Sequence, residues 1–374
     1  MPKLHRNLLS LIFLAALIPA LPAKADVFCV TTTAELQLAL EQADSNFQDD
    51  EIRIAQGTYA VPQATGFTYR GGSEFGGDDN DLTLIGGWIQ FGGNPCGRLR
   101  SNASALDTLL DGENRHRVMD IVAGNQSKVT ISGISFFSGS PSSGDRGGGL
   151  SLRTFGADIA EDFTIQRSAF VNNRARTEAA VFLSGAAIQR FVGNLVVGNV
   201  AEGQSAAINF FQNDQPGVYV INNTIMNNSS EENLGLDDAT GIRVSMFGSA
   251  QALVANNILW GNENNDIRYV GDGSITSRNN TIENASGTAN VSQNNVSIEP
   301  IFESGGFFEF RLVADSALVD IGLNPPPSPV PPIFDLNWSL PTTDVGGQPR
   351  ITNNGVDLGA TETAQDGIFS DRFD

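Results

Sequence analysis

The chain has 374 residues, with 22 Lys+Arg against 42 Asp+Glu, a formal net charge of −20, and 40% hydrophobic residues. That length and apolar content exclude a bulk-disordered chain and supply enough material for a large core. The acidic balance excludes electrostatic attraction to nucleic acid or to anionic membrane surfaces.

Residues 1–25 read as a secretory signal. Lys3 and Arg6 are basic, Leu8 to Leu21 is apolar, and Ala23-Lys24-Ala25 fits the small-residue cleavage rule. The apolar run is short for a membrane span, and no second run approaches the length needed to cross a bilayer. Cleavage removes three cations (Lys3, Arg6 and Lys24) and no acid. The mature chain then has 19 Lys+Arg against 42 acids, a net charge of −23. An extracellular or cell-surface location follows. In an exported protein Cys29 and Cys96 are expected to pair, tying the N-terminus to the first part of the body. Two sulfurs and His116, the only histidine outside 1–25, are too few ligands for a zinc site.

Residues 26–60 read as an N-terminal cap. "TAELQLALEQA" (33–43) is amphipathic, with Leu36, Leu40 and Ala43 on one face and Thr33 beginning a turn that can cap the helix. "EIRIAQGTYAV" (51–61) alternates like a first strand.

Residues 61–298 carry a repeat. "FTIQRSAFVNN" (163–173), "QRFVGNLVVGN" (189–199), "VYVINNTIMNN" (218–228), "ALVANNILWGN" (252–262) and "ITSRNNTIEN" (275–284) share one frame, and "VTISGISFFSG" (129–139) fits it more loosely. Its corner position holds Ile134, Ser168, Asn194, Asn223, Asn257 and Asn280 in turn. Apolar residues recur at period two on both sides of the corner, so two short strands meet at a bend, where Asn tolerates left-handed backbone. Ordering a unit of about 28 residues costs roughly 28–56 kcal/mol of backbone entropy. Each inward aliphatic returns only roughly 1.5–3 kcal/mol. The units must therefore stack. A third strand follows each asparagine loop: 149–153, 180–184, 207–211, 241–245 and 266–270. Its inward pairs are Leu150/Leu152, Val181/Leu183, Ile208/Phe210, Ile242/Val244 and Ile267/Tyr269. Its outward columns are Ser151, Phe182, Asn209, Arg243, Arg268 and Arg153, Ser184, Phe211, Ser245, Val270. Three short strands per turn with no helix between them describe an all-β, right-handed parallel β-helix with one short capping helix. Stacked coils about 4.8 Å apart let corner asparagines bond along the axis as a ladder.

Residues 299–363 change texture, with a Pro325–Pro332 cluster and no asparagine frame, and read as a C-terminal cap region. Residues 364–374 form an acidic tail. "LTLIGGW" (82–88), "TLLDG" (108–112) and the asparagine-cornered coils resemble secreted bacterial β-helix proteins of the pectin-lyase-like superfamily. "EPIF" (299–302), Leu312, "SALVDIG" (316–322), Asp335, "DVGGQPR" (344–350) and "VDLGATE" (356–362) resemble the choice-of-anchor Q region. Leu318 departs from the Ser-Pro-Ala-Ile-Asp form of that stretch, and Thr361 stands where an aromatic is usual. "DGIFSDRFD" (366–374) resembles acidic aromatic tails of exported Gram-negative proteins and suggests a sorting tag. The resemblance implies the fold; its members include lyases, hydrolases and adhesins.

Acids cluster at Asp78-Asp79-Asp81, Glu231-Glu232 and Asp237-Asp238. Asp237, Asp238 and Asp266 precede strands carrying Arg243 and Arg268, and are the candidates for any catalysis. A lyase would add Ca²⁺ and an arginine base, and a hydrolase two facing carboxylates. No Asn-Thr-Asp, Gly-His-Gly, metalloprotease or Ser-His-Asp pattern is complete, and "DRGGGL" (145–150) lacks the lysine of a phosphate loop. The expected function is non-catalytic binding of an extracellular polysaccharide or cell-surface glycan, without cofactor, by Arg153, Phe182, Asn209, Phe211, Arg243 and Arg268. The alternative is a lyase or glycoside hydrolase on an acidic glycan. Aromatics stack on sugars, and arginine pairs with uronates.

Overall fold

The structure, a computed structural model, describes residues 25–363 except 63–64, 78, 143–144, 156–159, 204, 215–216, 233–234, 236–237, 305–309, 326–339 and 353–354. The signal, the acidic tail, Asp78, Asp237, Asp335 and most of the proline cluster lie outside the described residues. None of the described helices is long and apolar enough to cross a membrane.

Strand alternation and corner asparagines together build a right-handed parallel β-helix with three long stacked sheets and a short fourth of Arg174–Ala175, Val200–Ala201 and Ser229–Ser230. The first sheet runs from Asp26–Val30 through Asp50–Ala55, Leu82–Phe91 and one strand per coil to Val291–Gln293. The second runs from Gly57–Ala60 to Thr281–Ile282, and the third from Phe67–Arg70 to Ala285–Ser286. Stacking thus begins at the first described strand, inside the stretch read as a cap. The helix Thr33–Ala43 closes that end by burying Leu36, Ala39, Leu40 and Ala43 in the main core. Its N-cap is Thr32, one residue before the expected position. Thr32 has an extended backbone, its side chain accepts from Glu35 N, and Glu35 returns the bond in a capping box. Thr33 instead donates its hydroxyl to the Ala60 carbonyl.

All ten expected inward residues of the third strands are buried in the main core. Phe136, Phe170, Phe191 and Phe210 form a run through it, with successive ring centroids 4.8, 6.0 and 5.7 Å apart. Cys29 and Cys96 are bonded, with Cα atoms 5.7 Å apart. The bridge ties Asp26–Val30 to the antiparallel arm Asn94–Leu99, which pairs with Leu82–Phe91.

Each asparagine pair divides two tasks. The first member bends the chain: Asn222, Asn256 and Asn279 have φ of +54°, +60° and +50°. The second points inward and bonds along the axis. Ser168 N donates to Asn194 Oδ1, Asn194 N to Asn223 Oδ1, Asn223 N to Asn257 Oδ1 and Asn257 N to Asn280 Oδ1, at 2.8–2.9 Å. A second ladder at the next corner links Asn173, Asn199, Asn228 and Asn262 in the same way.

The described parts of 299–363 lie along the flank, as a strap over the corner between the first and second sheets. They cover Val192, Tyr219, Ile221 and Leu253 of the first sheet with Leu323 and Leu340. Over the second sheet they place Val345 and Ala360 against Leu195, and Leu312, Leu318 and Leu358 against Met226 and Ile258. The bending asparagines hold this strap: Asn222 Nδ2 donates to Asp357 O, Asn256 Nδ2 to Leu323 O and Asn279 Nδ2 to Ile321 O. The approach is close at Gly359 (φ +91°), where a Cβ would stand 2.6 Å from Thr224 Oγ1. The first-sheet residues under the strap are apolar, so burying them favours this path along the flank.

Candidate functional site: the outer face of the third sheet

The register of the third sheet aligns Thr68, Asp120, Ser151, Phe182, Asn209, Arg243, Arg268 and Ser286 in one outward column. The five members expected from sequence stand in the expected order. The strap leaves this face free among the described residues, so its side chains face solvent or each other.

The expected residues fall into three groups. Arg153 sits at the N-terminal end of the column with Arg70 and Arg117 around Asp120. Arg70 Nη2 is 2.7 Å from Asp120 Oδ2, Arg117 Nη1 is 3.9 Å away, and Arg153 contacts Asp120 Oδ1. Burial pushes the Asp120 carboxyl up, but the hydrogen bond and charge of Arg153, with the charges of Arg70 and Arg117, outweigh it and hold the group below the usual carboxylate range. One carboxylate therefore serves three guanidiniums. The side chains of Arg70 and Arg153 remain 28% and 25% exposed, enough to reach a ligand.

The second group lines a cleft of about 220 Å³ formed by Arg146, Thr177, Glu178, Ser205, Ala206, Asn209, Asp238, Ala239 and Arg243. Arg268 contacts Asp238, and Arg243 Nη1 lies 3.9 Å from the same oxygen. Arg243 Nε also donates to Ser245 Oγ, which donates to Asn209 Oδ1 at 3.4 Å. The Arg146 guanidinium lies over the Phe182 ring at 5.0 Å and 3.9 Å from Glu178 Oε2. Glu178 is 7% exposed, has φ of +45°, and its Oε2 has no hydrogen-bond partner. A non-glycine residue held in left-handed backbone costs free energy and recurs at functional sites.

The third group is aromatic and follows the C-terminal edge. Phe211, 50% exposed, meets Phe247 with centroids 5.8 Å apart. Phe155 and Phe75, just past Leu150–Thr154 and Phe67–Arg70, form a second exposed pair at 5.4 Å.

Asp266 is not on this face. It is fully buried at the end of the second ladder, where Oδ1 accepts from Asn262 N and Nδ2 and Oδ2 accepts from Asn284 N. The next coil has Ala285 five residues after its corner asparagine, so Asp266 supplies the missing acceptor. Burial raises its pKa to about 6. The group Asp320, Asp357 and Glu362 has ligand-like spacing but lies on the strap, not on this face.

Sequence reading missed Asp120 with Arg70 and Arg117, the cleft residues Arg146 and Glu178, and the aromatic partners Phe75, Phe155 and Phe247. "VMDIV" (118–122) holds a single charge in an apolar run, and a charge placed so in a strand was the signal available for Asp120. Comparison of the chain with protein-family models, curated proteins and solved structures found no match.

Proposed function

We propose that this protein is an exported β-helix of the pectin-lyase-like kind, with a strap of the choice-of-anchor Q type, that binds an acidic extracellular polysaccharide along the outer face of its third sheet without cleaving it. One observation carries the reading. On a chain of net charge −20, Arg70, Arg117, Arg146, Arg153, Arg243 and Arg268 gather on this face and its edge, against Asp120, Asp145, Glu178 and Asp238. Among the described residues six arginines share the four acids that pair with them, flanked by exposed phenylalanine pairs. Guanidiniums take carboxylates or sulfates by charge-assisted hydrogen bonds, and exposed rings offer faces to sugars. The leader at 1–25 and the disulfide support export to an oxidising compartment.

The catalytic reading has its own observation, the strained, buried Glu178 sharing a cleft with Asp238. Incubating the protein with acidic and neutral polysaccharides separates the two. Binding of acidic chains that weakens with salt, with no unsaturated products and no new reducing ends, supports the first reading. Product release, with or without calcium, supports the second. No binding to any acidic glycan overturns the proposal.

A further inference from the structure

The cleft on the third-sheet face holds polar groups that an acidic chain does not satisfy. Its walls are the loops entering four successive strands, Leu150–Thr154, Val181–Ser184, Ile208–Asn213 and Ala239–Phe247. Arg146 comes from the first loop, Thr177 and Glu178 from the second and Asp238 from the fourth, while Arg243 stands on the fourth strand itself. At about 220 Å³ the cleft is smaller than a site for a drug-sized ligand, roughly 300–1,000 Å³, and suits one small ring. Two polar atoms of this lining are buried without a hydrogen-bond partner, Thr177 Oγ1 and Glu178 Oε2. A buried polar atom is costly until something bonds it. The guanidinium opposite Glu178 does not: Arg146 Nε stands 3.9 Å from Oε2, beyond hydrogen-bond range. The same gap recurs across the cleft, where Arg243 Nη1 stands 3.9 Å from Asp238 Oδ1. One hydroxyl oxygen can accept from the guanidinium and donate to the carboxylate across either gap, since two bonds of about 2.8 Å span up to about 5.6 Å. The Arg146 side chain is 56% exposed, and exposed side chains change rotamer readily, so it can give access to Oε2. An anionic group is the poorer occupant, because it only accepts and the open Glu178 oxygen needs a donor.

We propose that this cleft receives one neutral sugar unit, its hydroxyls bridging Arg146 to Glu178 and Arg243 to Asp238, with Thr177 Oγ1 as a further partner at the wall. On the polysaccharide reading above, on which this rests, the ligand is a mixed polymer. Its acidic units lie against the arginines around Asp120, where three guanidiniums share one carboxylate. A neutral unit or branch enters the cleft, whose lining carries two guanidiniums and two carboxylates. Arg268 reaches Asp238 from outside that lining, and Glu178 stays open to a hydroxyl.

The test uses the full chain with methyl glycosides of glucose, galactose and mannose, and with methyl glucuronide as the charged counterpart, followed by saturation-transfer NMR. At least one neutral glycoside should bind saturably, with an affinity that does not change with salt, because the ligand carries no charge to screen. At high salt methyl glucuronide should displace it only weakly. Glu178→Gln should lower the neutral affinity about tenfold, the worth of a hydrogen bond to a charged group, and Thr177→Val by roughly two- to tenfold. Both changes nearly keep the side-chain shape, and melting curves check the fold; if one variant fails to fold, the other and the wild-type sugar panel decide. Absence of binding by every neutral glycoside, equal displacement by the glucuronide, or an affinity unchanged in both variants would overturn the proposal. Acidic polysaccharide that binds while every neutral glycoside fails strikes the neutral cleft alone. A neutral glycoside that binds while no acidic polysaccharide does strikes the acidic-polysaccharide reading and leaves the cleft as a neutral-sugar site.

Discussion

Truncating one rung of the inner ladder should cost far more than its single side chain suggests. Asn223 is fully buried and its side chain makes four bonds. Its Oδ1 accepts from Asn194 N at 2.8 Å and Asn194 Nδ2 at 3.2 Å; its Nδ2 donates to Phe191 O and Asn257 Oδ1 at 2.9 Å each. In Asn223→Ala, Asn194 Nδ2 keeps Ile165 O and Asn257 Oδ1 keeps the Asn223 amide. The Asn194 amide and the Phe191 carbonyl lose these bonds in a site that water does not reach. At about 1–3 kcal/mol for each of the two buried groups left without its partner, the change should destabilise by about 2–6 kcal/mol. Asn295→Ala is the internal control. Asn295 accepts from Asn280 N and Nδ2 at the last rung, where it is only half-buried, so water can replace it and about 1 kcal/mol is expected. Guanidinium unfolding followed by both circular dichroism and fluorescence measures the difference, and comparing the probes shows whether coils unfold together. If Asn223→Ala is no more destabilised than Asn295→Ala, the ladder contributes nothing beyond ordinary hydrogen bonds and the reasoning fails.

Arg243→Ala and Arg268→Ala should each weaken binding of an acidic polysaccharide by about 1–3 kcal/mol, read by calorimetry at two salt concentrations; undiminished affinity in both would place the ligand elsewhere. Reducing the Cys29–Cys96 bridge frees a segment spanning 67 positions and should lower stability by about 4 kcal/mol on the chain-entropy account, seen as a lower denaturation midpoint under reductant. Asp266, pushed up to about 6, and Glu362, pushed up to about 8, bind their protons more tightly folded than unfolded. Their contributions are therefore present below about pH 4 and are lost as pH rises through 6 and 8, with Asp266 accounting for about 3 kcal/mol. Denaturation midpoints should fall from pH 5 to pH 8, and a flat or rising profile would contradict this.

How far the sequence reaches depends on the distance over which a residue finds its partner. The inward pairs from Leu150/Leu152 to Ile267/Tyr269 and the column from Ser151 to Arg268 were legible because side-chain alternation is local, and each coil then repeats its neighbour. The ladder was legible for the same reason, since one corner position recurs. The outer asparagines were not. Asn222 and Asn256 bond a strap 135 and 67 residues away, and the strap has no periodicity that would announce its path. Asp120 was largely hidden, because two of its three arginines, Arg70 and Arg153, lie 50 and 33 residues off on either side in sequence and meet it only through register. Asp266 shows the converse, a residue whose local setting misleads. Its place before the Arg268 strand suggested the outer face, yet the corner that lacks an asparagine draws it inward. The acids of these coils are thus assigned by which residues stand one layer away: Asp120 meets three arginines there, and Asp266 meets amide donors of the ladder. Asp120 therefore sits among an excess of cations, which favours an anion beside it, whereas Asp266 has no cation and serves the ladder as an acceptor.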